Sequence, residues 1–214
     1  MKGSKLKARD RWIDVLVFLV VILVLFPIVW TFLTSIKGRF DISAMPPKLL
    51  FTPTIENYRK VFIEDGFYRY FKDSIIIALI ATVIAIFLGT MTAYGLVRYR
   101  VGGKFLPFWI LSTRMLPPIA IILPIYILMQ RIKLIDTYAS IIIMHVLLNL
   151  PFAVWLMSGF FREVPSEIDE AAMLDGCSVF GAFIRVLFPV VIPGVLATTV
   201  FCLITSWNEF LFAL

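Results

Sequence analysis

The chain has 214 residues, of which 61% are hydrophobic and 16% are charged, and its mean hydropathy is +0.96. These values lie far outside the balance of a soluble domain and predict a polytopic membrane protein. The net charge of +6 does not indicate a nucleic-acid partner, because the basic residues flank apolar runs and do not line one polar face.

Five apolar runs are long enough to cross a bilayer as helices, which requires about 20 residues. Four of them contain no Asp, Glu, Lys or Arg, namely 15–36, 74–97, 137–161 and 186–208. The fifth run, 105–130, is interrupted only by Arg114. The pattern predicts an all-α transmembrane helix bundle in a lipid bilayer, organised as a single domain over residues 1–214.

The first apolar run follows a basic N-terminal segment. Its basic residues are Lys2, Lys5, Lys7, Arg9 and Arg11. By the positive-inside rule this segment stays in the cytoplasm, so the polar segment 37–73, with a helical piece at 55–70, is predicted to be external. A cleaved signal peptide is disfavoured, because the run exceeds a hydrophobic region of about 7 to 15 residues and no small-residue cleavage site follows it. Counted over the whole chain with Arg114 set aside, Lys and Arg are divided almost evenly, ten inside and nine outside, so the orientation rests on the N-terminal cluster.

A short basic loop, Arg98 to Lys104, follows the second run and fits the cytoplasmic side. Gly103 and Lys104 could suggest a phosphate-binding loop. The first glycine of that motif would fall on Arg98, however, and Phe105 stands where Ser or Thr is needed. We therefore expect no ATP binding by this motif.

The third run contains the charged residue Arg114 and four prolines, which predict a broken or kinked helix. A charge at bilayer depth costs at least about 2.5 kcal/mol unless it pairs, reaches the interface or faces water. Arg114 is therefore either a lining position on a translocation path or one half of a structural ion pair with Glu209. The sequence does not decide between the two.

The fourth run carries the only histidine, His145, together with Asn149. A packed interhelical group is favoured over a contact with substrate for these two residues, although both belong to a possible translocation path with Arg114. An enzyme would need a cluster of acid, base, nucleophile or metal ligands, and the sequence contains none, so neither a catalytic nor a metal site is predicted. Cys177 and Cys202 are too sparse for a disulfide framework and are expected to be free thiols.

The polar loop 162–189 separates the fourth and fifth runs. Ser166 is predicted to cap a helix that opens at Glu167, and Asp169 to complete a capping box. Gly176 tolerates the positive φ at which such a helix ends, which leaves about nine residues, or roughly 13 Å of helix. Ala171 and Ala172 leave little side chain to hold a partner away. The loop is therefore predicted to dock a partner.

The same loop carries a specific resemblance. Glu170-Ala171-Ala172, three residues, Gly176, nine residues and then Val186-Leu187-Phe188-Pro189 resemble the EAA loop of the membrane subunits of binding-protein-dependent ABC importers. Val186 and Phe188 depart conservatively from the Ile and Leu of the family pattern. Trp207-Asn208-Glu209-Phe210 and Asn57-Tyr58 are similar to the carbohydrate branch, maltose permeases included, and the likeness covers nearly the whole chain.

This resemblance implies a permease for a sugar or polyol in a bacterial or archaeal inner membrane, with six spans of which five are present here. It implies a second permease subunit in a heterodimer, two ATPase subunits that bind ATP and Mg, and an external solute-binding protein. No cofactor would be bound by this chain itself. The coupling residues carried over from the motif are Glu170, Ala171, Ala172, Asp175, Gly176 and Pro189.

Two other classes share the composition. A secondary transporter driven by an ion gradient commonly shows internal repeats and intramembrane acids, and only Glu209 lies well inside an apolar run here. A structural membrane assembly protein would have no need of an acidic docking loop. A requirement for ATP or for an ion gradient in transport would separate the three.

Overall fold

The structure is a computed structural model that describes residues 2–212, with side chains from Trp12 onward. This part of the chain contains helices and no strand, which confirms the all-α prediction. The α-helices are α1 Lys2–Ser35, α2 Arg39–Ile42, α3 Glu56–Arg59, α4 Phe67–Arg98, α5 Phe105–Ser112, α6 Pro118–Arg131, α7 Tyr138–Glu163, α8 Glu167–Leu174, α9 Val179–Ala182 and α10 Phe188–Asn208. Two π-helical turns, Lys60–Glu64 and Phe183–Leu187, and a 3₁₀ turn at Thr113–Met115 join some of them.

Four stretches among the described residues are long and apolar enough to span a membrane: Trp12–Ser35, Phe67–Arg98, Tyr138–Glu163 and Val179–Asn208. A fifth candidate consists of Phe105–Met115 and Pro118–Arg131, which are bent by 96° at the break between them. The five predicted apolar runs thus correspond to four continuous spans and one bent pair.

The bend has a local cause in two consecutive prolines. Leu116 and Pro117 have ψ angles of 125° and 128°, both extended. A residue before proline is driven out of the helical region by the proline ring, and here two successive residues are in that position. Pro151, by contrast, lies inside the continuous helix α7. The adjacent proline pair therefore breaks the span where a single proline does not.

The described residues form two compact units that divide between Tyr70 and Phe71. In the first unit, Asn57 Nδ2 donates to the carbonyls of Ser35 and Lys37 at 3.0 and 2.7 Å. The Tyr58 hydroxyl lies 2.6 Å from the Ser35 hydroxyl. Asn57, through two carbonyls, and Tyr58, through a hydroxyl, thus bind the helical piece to the end of α1 and the residues just after it.

The predicted helical piece at 55–70 is shorter in the structure. It ends at Glu64, and Gly66 has a φ of +70°. This left-handed backbone conformation, which glycine adopts without a steric cost, separates the piece from α4. The last residues of the predicted piece, from Phe67 onward, belong instead to the long helix α4.

In the second unit, α4, α7 and α10 supply most of the core. A buried cluster joins the end of α4 and the end of α7 to the segment that enters α10, through Ala93, Tyr94, Met157, Phe161, Val164, Phe183, Leu187 and Val191. Helices α4 and α7 approach closely at Gly89, where an added Cβ would lie 2.6 Å from Ala153 Cβ. Small residues at such a contact allow membrane helices to pack backbone against backbone.

Candidate functional site: a docking helix and a membrane cavity

Helix α8 is held against the ends of the spans by its own Ile168 and by the segment that follows it. Ile168 packs against the buried cluster, and Phe183 and Leu187 of the following π-helical turn are buried within it. Ser178 caps the intervening helix α9, since its hydroxyl accepts from the Gly181 N–H at 3.1 Å. The loop 162–189 is therefore a folded element with its own packing.

The predicted capping box is absent. Ser166 has helical angles and its side chain makes no capping bond, so it does not act as the predicted cap. Asp169 is buried, and its Oδ2 accepts from Nε of Arg98 at 2.7 Å. Arg98 at the end of α4 takes the place of the backbone N–H for this carboxylate, and here both partners of the hydrogen bond carry a charge.

The two faces of α8 differ in exposure. Asp169 and Ala172 are buried against the chain. The exposed face consists of Glu167, Glu170, Ala171 and Leu174, at the spacing of one helical stripe. Leu174 is 90% exposed, and Asp175 after the helix is also exposed.

This division corrects one expectation about the alanine pair. Ala171 faces outward, as docking requires, whereas Ala172 faces the chain and is packed there. A bulky residue at Ala172 would disturb the internal packing of the loop. Of the two alanines, only Ala171 offers a steric test of docking alone.

Gly176 adopts the positive φ that the sequence predicts, with a value of +91°. The Gly176 N–H donates to Met173 O at 3.1 Å and the Cys177 N–H to Ala172 O at 3.0 Å. This is the Schellman arrangement that satisfies the last carbonyls of a helix. No atom lies within 4 Å of an added Cβ at this position, so glycine is required here for its backbone conformation and not for space.

Pro189 lies in the first turn of α10, just after the π-helical turn. It has no N–H to donate to the carbonyl of Arg185 four residues earlier. The Phe188 N–H donates instead to Phe183 O, five residues back. The last position of the EAA motif thus coincides with a local widening of the helix.

A cavity of about 860 Å³ lies beside the bend between α5 and α6. Its wall is mostly apolar, and its polar lining residues are Thr113, Arg114, Thr205, Asn208 and Glu209. Helices α7 and α10 supply the opposite wall, with residues that include Met144 and Ile204. Polar groups of both signs of charge therefore converge on one apolar chamber.

Arg114 does not form an ion pair with Glu209, which was one of the two roles that the sequence left open for it. Its guanidinium carbon lies 4.6 Å from the centre of the Phe152 ring. Glu209 instead has an oxygen 3.5 Å from His145 Nε2, and it accepts from the Leu211 N–H at 2.9 Å. Arg114 is exposed on the cavity wall.

His145 and Asn149 are buried and do not line this cavity. Asn149 Nδ2 donates to Ser206 Oγ of α10 at 2.8 Å, and His145 lies behind Glu209. Both residues therefore sit between α7 and α10. Their position fits the packed interhelical reading that the sequence favours.

Two residues of this region, Arg98 and Ser206, were not predicted from the sequence. Arg98 was interpreted only as a topology signal, although its position at a helix end and the acidic loop that follows later could have suggested an ion pair. Ser206 carried no signal, because a serine in an apolar run is common. Cys177 and Cys202 are both free, and the described residues include no group of three or more His, Cys, Asp or Glu that could hold a metal ion.

The spans lie around a mostly apolar cavity, one of them is bent, and an acidic helix lies beside their ends. Together these features define a membrane transport subunit. Residues 85–214, more than half of the chain, match the family described as the binding-protein-dependent transport system inner membrane component. The chain belongs to this family and is a permease subunit of an ABC importer in the inner membrane. This assignment favours the importer over the secondary transporter and the assembly protein.

Two relatives and one solved structure show the extent of the likeness. A probable ABC transporter permease protein of Sinorhizobium fredii is 41% identical over 89% of this chain and 69% of its own length. The trehalose transport system permease protein of Mycobacterium tuberculosis is 37% identical over 96% of this chain and 75% of its own. A chain of a bacterial ABC transporter involved in the import of the acidic polysaccharide alginate has the same fold, with a TM-score of 0.80 at 22% identity over 94% of this chain and 71% of its own.

Proposed function

We propose that this permease forms part of the path for a sugar or polyol and couples to ATPase subunits through α8. The working importer would contain a second, related permease, two ATPase subunits that bind ATP and Mg, and an external solute-binding protein. This chain would bind no cofactor of its own. The N-terminus and the loops Arg98–Lys104 and 162–189 would be cytoplasmic, and the segment 37–73 external.

The observation that carries the coupling proposal is the exposed face of α8. Glu167, Glu170, Ala171 and Leu174 form one outward stripe on a helix whose other face is packed. A helix fixed on one side and exposed on the other can enter a groove in a partner without losing internal contacts. The small side chain of Ala171 permits close approach, and Leu174 supplies apolar surface to bury.

The solute class is supported by the cavity and by the relatives. A sugar presents hydroxyl groups and apolar C–H faces, and the cavity offers polar groups on an otherwise apolar wall. Arg114 can donate hydrogen bonds and Glu209 can accept them. Among the relatives, one is named for trehalose transport.

The central experiment reconstitutes the permease with its co-purified ATPase subunits, partner permease and binding protein in liposomes. Uptake of labelled trehalose, maltose and sorbitol is measured with ATP inside and, separately, with an imposed ion gradient. We expect uptake of at least one solute with ATP and none with the gradient. Uptake driven by the gradient alone would contradict the proposal.

The coupling role is tested at Gly176. Gly176→Val places a β-branched residue at a φ of +91°, a strain of order 1–3 kcal/mol that should displace the end of α8. We expect normal membrane levels but loss of ATPase co-purification. Gly38→Val is the matched control, because Gly38 has an ordinary φ of −66° and equally open space. Equal behaviour of the two variants would argue against docking through α8, and Ala171→Trp gives a second, steric test on the exposed face.

The path is tested at Arg114. Arg114→Leu removes the charge and the donors from the cavity wall and should lower uptake by about tenfold or change the preferred solute, if one charge-assisted hydrogen bond to the solute is lost. Arg131→Leu, an exposed arginine at the end of α6, is the control. If both variants assemble and transport like the parent, Arg114 is not on the path.

The topology is tested with single cysteines at Ser43 and Ser166, after replacement of Cys177 and Cys202 by alanine. The proposal places these two positions on opposite sides of the membrane. An impermeant thiol reagent should therefore label Ser43→Cys from outside and Ser166→Cys only after the membrane is opened. Labelling of both from the same side would contradict this topology.

A further inference from the structure

Arg98, the last residue of α4, binds the loop 162–189 at two separate points. Its Nε donates to Asp169 Oδ2 at 2.7 Å, and its Nη2 donates to the carbonyl of Val164 at 2.9 Å. Val164 follows the end of α7 and Asp169 lies in the first turn of α8. One guanidinium group therefore joins the end of α4, the end of α7 and the beginning of α8.

The dipoles of helices α4 and α8 favour this arrangement. A cation at the C-terminal end of a helix and an anion in the first turn of another both complement the helix dipoles. The planar guanidinium presents several donors in fixed directions, so two acceptors can be bound at once. A lysine at the same place could offer the charge but not this fixed pair of donors.

The Arg98–Asp169 pair is also buried, with side-chain exposures of 9% and 5%. The pair is adjacent in the chain to the buried cluster, which contains Tyr94 and Val164 and against which Ile168 packs. Within residues 12–212, Asp169 Oδ1 has no hydrogen-bond partner, so Arg98 is the partner on which this carboxylate depends. Removing one member would leave a buried charge without compensation.

We propose that Arg98 is a positioning residue for α8: through Asp169 and Val164 it holds the helix so that the stripe Glu167, Glu170, Ala171 and Leu174 faces outward. The inference rests on the proposed coupling role of that stripe. Because Arg98 is also the last residue of the long helix α4, a displacement of α8 by a partner is transmitted to α4 through this contact.

A purely stabilising role would have a different signature. A buried ion pair can often be replaced by apolar residues of similar volume without loss of stability, whereas deletion of one partner is disruptive. An apolar pair at 98 and 169 should therefore restore folding in either case. It would restore coupling only if orientation of α8 did not depend on the two hydrogen bonds.

The first measurement follows amide hydrogen exchange in the full chain. In Arg98→Met we expect the amides of α8 to exchange about tenfold faster, with α7 unchanged, since local opening is reported residue by residue. Lys104→Met removes a cation from the same basic loop at an exposed position and is the control. Unchanged exchange in α8 of Arg98→Met would overturn the inference, whatever partners the chain has.

The second measurement uses the reconstituted importer and the solute that the parent transports fastest among trehalose, maltose and sorbitol. The ratio of solute imported to ATP hydrolysed is compared for the parent, Arg98→Met, Asp169→Leu and the double variant. We expect the double variant to assemble like the parent and to keep a ratio reduced by about tenfold, the loss of one charged contact. A double variant with the parent ratio would overturn the inference.

Arg98→Lys decides the outcome if the apolar variants fail to assemble. It keeps the charge and one bond, so we expect normal assembly with a ratio of solute imported to ATP hydrolysed that is lower than that of the parent. A parent-like ratio in Arg98→Lys would count against positioning by the two-point contact. Failure of the parent itself to couple ATP to uptake would instead contradict the proposed function, and the exchange measurement would still judge the role of Arg98.

Discussion

The continuous helix α7 and the bent pair α5–α6 are both apolar and both long enough to span a membrane, yet they have opposite places in the fold. Nine residues of α7 are buried, among them His145 and Asn149. In α5 no residue is buried, and in α6 only Met129 is. Apolar composition therefore identifies a span but does not say whether the span belongs to the core or borders a cavity.

The difference follows from side-chain size and from backbone continuity. Helix α7 packs against small residues of α4, such as Gly89, over an unbroken length. The bend at Pro117 and Pro118 turns α6 away from the line of α5 and leaves the cavity beside the break. Irregular backbone at membrane depth is tolerated where it faces protein or a cavity.

Of the substitutions that test this difference between the spans, the largest effect is expected at the contact between α4 and α7. Gly89→Leu should prevent folding of the second unit, because even a Cβ at this position would lie 2.6 Å from Ala153 Cβ and 3.3 Å from its backbone carbon. The yield of monodisperse chain in detergent measures the effect. Gly159→Leu is the control on α7, since its Cβ would meet nothing within 4 Å. Similar yields from both variants would mean that the helices do not need this close approach.

A smaller effect is expected from a substitution that creates a cavity in the core. Met157 of α7 is fully buried, and Met157→Ala should lower the free energy of unfolding by about 2–5 kcal/mol, as for other large-to-small core changes. Leu123 of α6 is 65% exposed, and Leu123→Ala should leave stability nearly unchanged. Thermal or denaturant unfolding in detergent compares the two. Equal losses would erase the distinction between the two spans.

The smallest effect is expected at the polar contact between α7 and α10. Asn149→Leu removes the bond to Ser206 and should cost about 0.6 kcal/mol, and at most about 1.7, which is the range for interhelical hydrogen bonds in membranes. Ser206→Ala in the same background should then add little, because its partner is already gone. A loss of several kcal/mol would show that Asn149 does more than bind α10.

Much of the fold could be predicted from the sequence because it depends on local chemistry. The apolar runs determine which segments span the bilayer, since the length of hydrocarbon to be crossed is constant. The end of α8 follows from glycine at 176, which alone adopts a φ of +91° without a Cβ penalty. The break of the third run follows from the proline pair, and the motif from Glu170 to Pro189 indicates the family before any packing is known.

Other features were decided only by the tertiary structure. Asp169 binds Arg98, 71 residues earlier in the chain, and not the N–H groups of its own helix. Ala172 packs inward while its neighbour Ala171 faces out, and Glu209 lies 3.5 Å from His145 and forms no ion pair with Arg114. The rotation of each helix about its axis and the register between helices select these partners. Apolar membrane helices leave that choice to side-chain packing, because hydropathy is nearly the same on every face.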